Sequence, residues 1–255
     1  MFTRNAEAVA SASLVAAALI TLLSGCSSPS PGTAPSTPPA VVSSGSPSAT
    51  GSDCPNSHGG SCLGPLPAGE YRTTTFEPQI SYTVPDGWTN FEDLPGNFWL
   101  FQQQDNQEGA RGGSYLGIYS NVHAASIDCD EAWQYGLGTT PTELAAWYQT
   151  VPGLIVSEPL AVTVGGLDGL QIDVSLEPGA ETCSFAGEAG IPLIIGDGVS
   201  DLYHVILQDL DVRLVFLEWG DGNVTLEVTN VEEQHSADEF RSQLQPIIDS
   251  LVFQQ

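Results

Sequence analysis

The sequence predicts an α+β domain, an antiparallel β-sheet with helices packed on one face, carried behind a long tether. Three observations lead there. Short β-prone runs follow one another at hairpin spacing between residues 70 and 230. Two capped helical segments interrupt and close that series. Residues 27–53 are Ser, Pro, Thr, Gly and Ala with almost nothing apolar beyond Val41 and Val42, so they can contribute no core.

The first β-prone run, 70–76, carries Tyr71, Thr73, Thr75 and Phe76. The next, 79–84, places Ile80, Tyr82 and Val84 on one face and Ser81 and Thr83 on the other, the pattern of a half-buried strand. Pro85-Asp86-Gly87 turns the chain and delivers Trp88. Strands are expected at 97–103 and 114–119, on either side of a polar, Gly-rich loop at 104–113. A helix should start after Thr140, with Pro141 at its first position and Glu143 completing a capping box, and should stop at Pro152-Gly153. Its Leu144, Trp147 and Tyr148 share one face. Residues 155–164 and 167–176 form a strand pair joined at Gly165-Gly166, and further strands are expected at 192–195, 202–208, 212–219 and 223–230. The last two meet at the hairpin turn Gly220-Asp221-Gly222-Asn223. A second capping box, Ser236 with Glu239, opens a closing helix whose Phe240, Leu244, Ile247, Ile248 and Leu251 recur at helical spacing, with a kink expected at Pro246.

Composition narrows the function. The 255 residues hold 31 acidic side chains against five basic ones, a formal charge of −26. The imbalance comes from missing bases, so the acids should be scattered over a folded surface. A field of that sign repels phosphate backbones and anionic headgroups, which excludes nucleic acid as a partner and disfavours docking of the domain face on an anionic membrane.

The N-terminus reads as an export signal. Arg4 supplies a weak positive start, diluted by Glu7, and residues 8–23 are a stretch rich in Ala, Val, Leu and Ile, short for a membrane span of about 20 residues. Leu23-Ser24-Gly25-Cys26 follows: an aliphatic residue, two small ones, then a cysteine. This resembles the lipobox of bacterial lipoproteins. The resemblance implies that 1–25 is removed, that Cys26 is lipidated, and that the protein sits at the extracytoplasmic face of the cell membrane; several acyl chains on one residue anchor stably. Segment 26–53 would then be a disordered tether reaching ~30 Å as a flexible coil or ~80 Å as polyproline II. The globular domain is expected over 54–255.

Without Cys26 the chain has Cys54, Cys62, Cys129 and Cys183, an even number in an exported protein. Three pairings exist, and Cys54–Cys62 with Cys129–Cys183 is the favoured one: the first closes a tight Gly-rich loop, the second cross-links distant parts of the core sequence. A zinc site using these cysteines with His58 and His123 is the competing reading, weakened by the lack of a CxxC pair and by an oxidising compartment.

An opening strand that ends in Pro85, Gly87 and Trp88, a mid-chain helix, a strand series and a terminal helix closing on Ile247, Ile248, Ser250, Leu251 and Phe253 together resemble the PsbP-like α/β/α-sandwich class. What that resemblance implies is binding to another protein rather than chemistry.

Motifs for catalysis are weak. There is no G-x-S-x-G nucleophile elbow. His204, within a strand near Asp201 and Asp209, could act as a base but has no nucleophile in view, and His235 reads as a loop residue. Carboxylates gather at Asp128, Asp130 and Glu131, at Asp197 with Asp201, at Asp209 with Asp211, and at Glu218 with Asp221. Any could hold Ca²⁺, yet none has the calcium-loop spacing, and solvated surface explains them better. Of the five tryptophans, Trp88, Trp99 and Trp147 sit where packing is the natural role, whereas Trp133 and Trp219 lie near loops and acids, where one could face a ligand. Asn223-Val224-Thr225 fits a glycosylation pattern that carries no weight in a bacterial lipoprotein. The expectation is a non-catalytic binding or accessory module for an envelope or membrane protein, with no cofactor and no metal. The alternative is an envelope hydrolase using paired carboxylates.

Overall fold

The computed structural model describes residues 64–102, 113–130, 132–185, 188–196, 203–231 and 236–254. All belong to the second of the two units into which the chain divides, Met1–Ser48 and Ala49–Gln255. The strands, in chain order, begin with β1 (Gly64–Leu66), β2 (Gly69–Arg72), β3 (Ile80–Val84), β4 (Trp88–Leu94), β5 (Asn97–Gln102), β6 (Tyr115–Ser120) and β7 (Val122–Ala124). Helix α1 (Pro141–Tyr148) precedes β8 (Leu154–Val156), β9 (Leu160–Val164), β10 (Leu167–Leu176), β11 (Cys183–Phe185), β12 (Glu188–Gly196) and β13 (Tyr203–Leu207). The hairpin β14 (Leu210–Trp219) and β15 (Gly222–Val231) leads to α2 (Ala237–Asp249) and the short β16 (Val252–Phe253).

A nine-stranded sheet in the order β1-β4-β5-β6-β15-β14-β10-β8, with β9 also paired to β10, forms the centre. Every pairing in it is antiparallel. The α+β antiparallel class read from the sequence is therefore the observed one. The helices, however, lie on opposite faces of this sheet. Leu217, Val224, Leu226 and Val228 pack with Phe240, Leu244 and Ile247 of α2 and with Ile80, Tyr82 and Val84 of a three-stranded sheet, β16-β3-β2. Val212, Leu214 and Phe216 point the other way, into Leu144, Ala145 and Tyr148 of α1 and into Ile191, Leu193, Ile194 and Ile206 of a four-stranded sheet made of β7, β11, β12 and β13. The physical reason is legible in β14, which is apolar at both alternations, so both of its faces must be covered.

Both helices start at the caps read from the sequence, with the capping box complete at α1 and only its Ser236 half formed at α2. Thr140 caps α1 with a complete capping box. At the start of α2 the Ser236 side chain accepts the Glu239 amide, and the helix runs unbroken through Pro246. β12 covers Glu188–Gly196 instead of 192–195, β1, β4, β7, β11 and β16 are strands beyond the expected set, and two expected strands change course. The run 70–76 ends at Arg72 because the buried Asp93 carboxylate accepts the amides of Thr74, Thr75 and Phe76 at 2.8–3.2 Å, bending that segment away from the ladder. The expected 155–164 strand is split into β8 and β9 around residues 157–159, where Pro159 cannot donate.

Candidate functional site

Three features of the domain could carry function: a buried polar cluster, an exposed aromatic loop, and open clefts at the sheet margins.

The cluster is centred on Glu227, 2% exposed, on the face of β15 that looks towards the four-stranded sheet. Its register partner on β6 is Gly117, flanked on the same face by Tyr115 and Tyr119. A side chain at 117 would overlap the Tyr119 ring, so the glycine makes the space from which the Tyr119 hydroxyl reaches Glu227. Tyr115 donates to Glu227 Oε1 and Tyr119 to Oε2, each at 2.9 Å, and the Thr229 hydroxyl donates to Oε1 at 3.0 Å. From the opposing sheet, His204 on β13 brings Nδ1 to 2.7 Å from Oε2 while only 8% of its side chain is exposed. Trp99 completes the enclosure, its ring edge-on to His204 at 5.4 Å.

Burial by itself would raise the Glu227 pKa. The charge and hydrogen bond of His204 and the two tyrosine hydroxyls outweigh burial and hold the carboxyl below its ordinary range. Burial first, and the Glu227 charge second, push the Tyr115 and Tyr119 hydroxyls well above the usual tyrosine value, so both remain donors. His204 thus stands as a packed, paired residue, not a base facing a nucleophile. The cluster fastens β13 to the central sheet. Sequence reasoning singles out His204 and misses Glu227; the available signal is an acid at an interior alternation of a strand whose neighbours on both faces are apolar or β-branched.

The aromatic loop joins β7 to α1. Ala125 bridges Trp133, the Ser126 amide donates to the Ala132 carbonyl at 2.7 Å, and Cys129 is bonded to Cys183 of β11 with a Cα separation of 5.6 Å. The loop is thereby tied to the four-stranded sheet at both strand and disulfide. It presents Ile127, Trp133 and Tyr135 at 41, 50 and 91% exposure. His123 stacks on the Trp133 indole at 4.7 Å, and Asp128 and Asp130 are exposed on the same loop. Of the expected disulfides, Cys129–Cys183 is present, while Cys54, Cys62 and Cys26, the residue expected to be lipidated, lie outside the described residues. So do His58, Glu131, Asp197, Asp201 and His235.

Trp88 is buried, and Trp99 and Trp147 are partly so, as packing requires. Asp209 shares an open cleft of about 400 Å³ with Glu188, Leu207 and Val231, both carboxyls being exposed. Glu218 and Asp221 are exposed at the hairpin end. Among the described residues no three His, Cys, Asp or Glu side chains converge as a metal site, and no helix is long and apolar enough to cross a membrane.

No protein-family model matches the chain, and no curated protein does. Among solved structures it is similar to a Bacteroides thetaiotaomicron protein, at 14% identity over 69% of this chain and 45% of that one, with a TM-score of 0.32. The chain thus spans less than half the length of that protein. It is similar as well to Mycobacterium tuberculosis LpqN, described as involved in cell envelope biogenesis, at 13% identity over 74% of this chain and 87% of that one, with a TM-score of 0.33. A third match is cyanobacterial PsbP (CyanoP) from Synechocystis, at 13% identity over 76% of this chain and 98% of that one, with a TM-score of 0.36. Likenesses this loose decide neither fold nor function, and the α+β assignment rests on the strand pairing described above.

Proposed function

We propose that the chain is a lipid-anchored extracytoplasmic accessory module that docks an envelope or membrane protein through the loop between β7 and α1. Cys26 carries the lipid and segment 26–53 is the tether. The observation that carries the docking reading is the exposure of Ile127, Trp133 and Tyr135 on a loop held by the Cys129–Cys183 bond. Large aromatics left in solvent on a preorganised element are the usual anchors of protein interfaces, because little ordering entropy is lost when they are covered. Asp128 and Asp130 at the same loop, within a chain of charge −26, favour a partner whose matching face is basic.

Crosslinking in whole cells, followed by identification of the captured protein, tests this. Trp133→Ala with Tyr135→Ala is expected to abolish a crosslink that the unaltered chain forms, while leaving the melting temperature within a few degrees. An unchanged crosslink would remove the loop from the interface. The anchor has its own test: Cys26→Ser should shift the protein out of the membrane fraction in detergent phase partitioning, and a processed Cys26→Ser protein that stays wholly with membranes would refute the lipid assignment.

The hydrolase alternative has one observation in its favour, the cleft shared by Glu188 and Asp209. Acid–base pairs need at least one carboxyl desolvated enough to hold its proton, and both of these are exposed. Turnover of an envelope glycan that Glu188→Gln or Asp209→Asn abolishes without unfolding would reinstate that reading.

A further inference from the structure

A second cleft lies at the end of the central sheet where Trp219 closes β14, and it shares no residue with the docking loop. Its volume is about 430 Å³, and it is lined by Glu77, Gln79, Ser120, Asn121, Trp219 and Gln254 together with Pro78. These residues come from four separate stretches of chain that the fold ties together. The Asn121 amide donates to the Asn223 carbonyl at 2.8 Å, the Gln254 amide to the Gln79 carbonyl at 2.8 Å, and the Ser120 amide to the Gly96 carbonyl at 3.1 Å. Trp219 is partly buried, with the Phe253 ring 6.5 Å from its own. The walls are therefore set by backbone and core contacts rather than by the lining side chains.

Those side chains are left with capacity to bind. Gln254 uses its Oε1 to accept from Arg72 at 3.1 Å, which leaves its amide hydrogens available. The side chains of Glu77, Gln79, Ser120 and Asn121 make no hydrogen bond among the described residues. Asn121 holds a φ of 55°, a left-handed conformation that a side chain tolerates at some cost, and its amide oxygen lies against Gly222 at the start of β15. The lining thus offers three amides, a hydroxyl and a carboxylate around one indole, with no basic group.

We infer that this cleft is a binding site for an uncharged saccharide. A pyranose presents an apolar C–H face and a rim of hydroxyls that each donate and accept. An indole flank matches the first, and planar amides and a carboxylate match the second. The volume falls in the range of small-ligand sites, roughly 300–1,000 Å³, enough for one or two sugar rings. Glu77 and the field of the whole chain disfavour phosphorylated or uronic sugars, and the one cation bonded to the lining among the described residues, Arg72, is held on Gln254 Oε1.

The test is a ligand-observed NMR titration of the full chain, held in a zwitterionic detergent without a sugar headgroup, with maltose, cellobiose and N,N′-diacetylchitobiose. At least one is expected to bind saturably. Gln79→Ala and Asn121→Gly should each weaken it about tenfold, the loss of one or two neutral hydrogen bonds. Asn121→Gly keeps the backbone unstrained, so a loss there reports the missing amide rather than misfolding. Trp133→Ala should leave saccharide binding unchanged, which separates this site from the docking loop. Binding by none of the three sugars, binding that neither variant weakens, or preferential binding of inorganic phosphate or glucuronate would each overturn the assignment.

Discussion

The two faces of the central sheet are built on different principles. The face under α2 is an apolar contact, in which Leu217, Val224, Leu226 and Val228 meet Phe240, Leu244 and Ile247. The face under the four-stranded sheet has an apolar half around Tyr148 and Phe216 and a polar half where Glu227 takes three hydroxyl bonds and the His204 contact. Apolar contact is non-directional and accepts many arrangements of similar volume. A buried carboxylate accepts only the arrangement that satisfies it. The first face supplies burial; the second specifies where β13 must sit.

The largest effect should come from breaking the polar half. Glu227→Leu removes the acceptor for two tyrosines, Thr229 and His204, and should cost about 3–5 kcal/mol by urea unfolding. Adding His204→Leu should recover part of that loss, since the stranded imidazole is removed as well. The pH dependence follows from the sign of the shift. Glu227 titrates lower in the folded chain than in the unfolded one, so its contribution is present above the unfolded carboxyl value and disappears as pH falls through the folded one. The urea midpoint should therefore drop on acidification, and the Glu227→Leu profile should be flatter over the same window. Equal slopes would mean that the pair is not charged in the fold.

On the apolar face Leu244→Ala should cost about 3 kcal/mol through the cavity it leaves. Gly117→Ala, which adds a single methyl to the polar half, should still cost about 2 kcal/mol, because the Tyr119 ring has nowhere to move without releasing Glu227. Leu244→Met, a change of shape at similar volume, should cost no more than about 1 kcal/mol. If Gly117→Ala proved milder than Leu244→Met, the contrast between the two faces would collapse.

Much of this domain is legible in short stretches of sequence. The turns at Pro85-Asp86-Gly87 and Gly220-Asp221, the Thr140 capping box and the β9–β10 hairpin are encoded within a few residues, and each forms. Cys129–Cys183 is readable as half of the favoured pairing, from cysteine number and compartment, and it is present. The features that stay hidden are tertiary. Nothing local announces that Asp93 takes the amides at 74–76 from seventeen or more residues away. The cleft at Trp219 is visible in the sequence only as a tryptophan near loops; its other walls come from residues 77–79, 120–121 and 254.

By itself the sequence determined the class of the domain, its acidity and its local turns and caps, because periodicity, charge and turn chemistry act over a few residues. Only the tertiary structure decided that the helices lie on opposite faces, that Glu227 meets His204, and that Trp133 rather than Trp219 stays in solvent. Those outcomes depend on register between strands far apart in the chain, and a one-residue change of register turns every side chain to the other face.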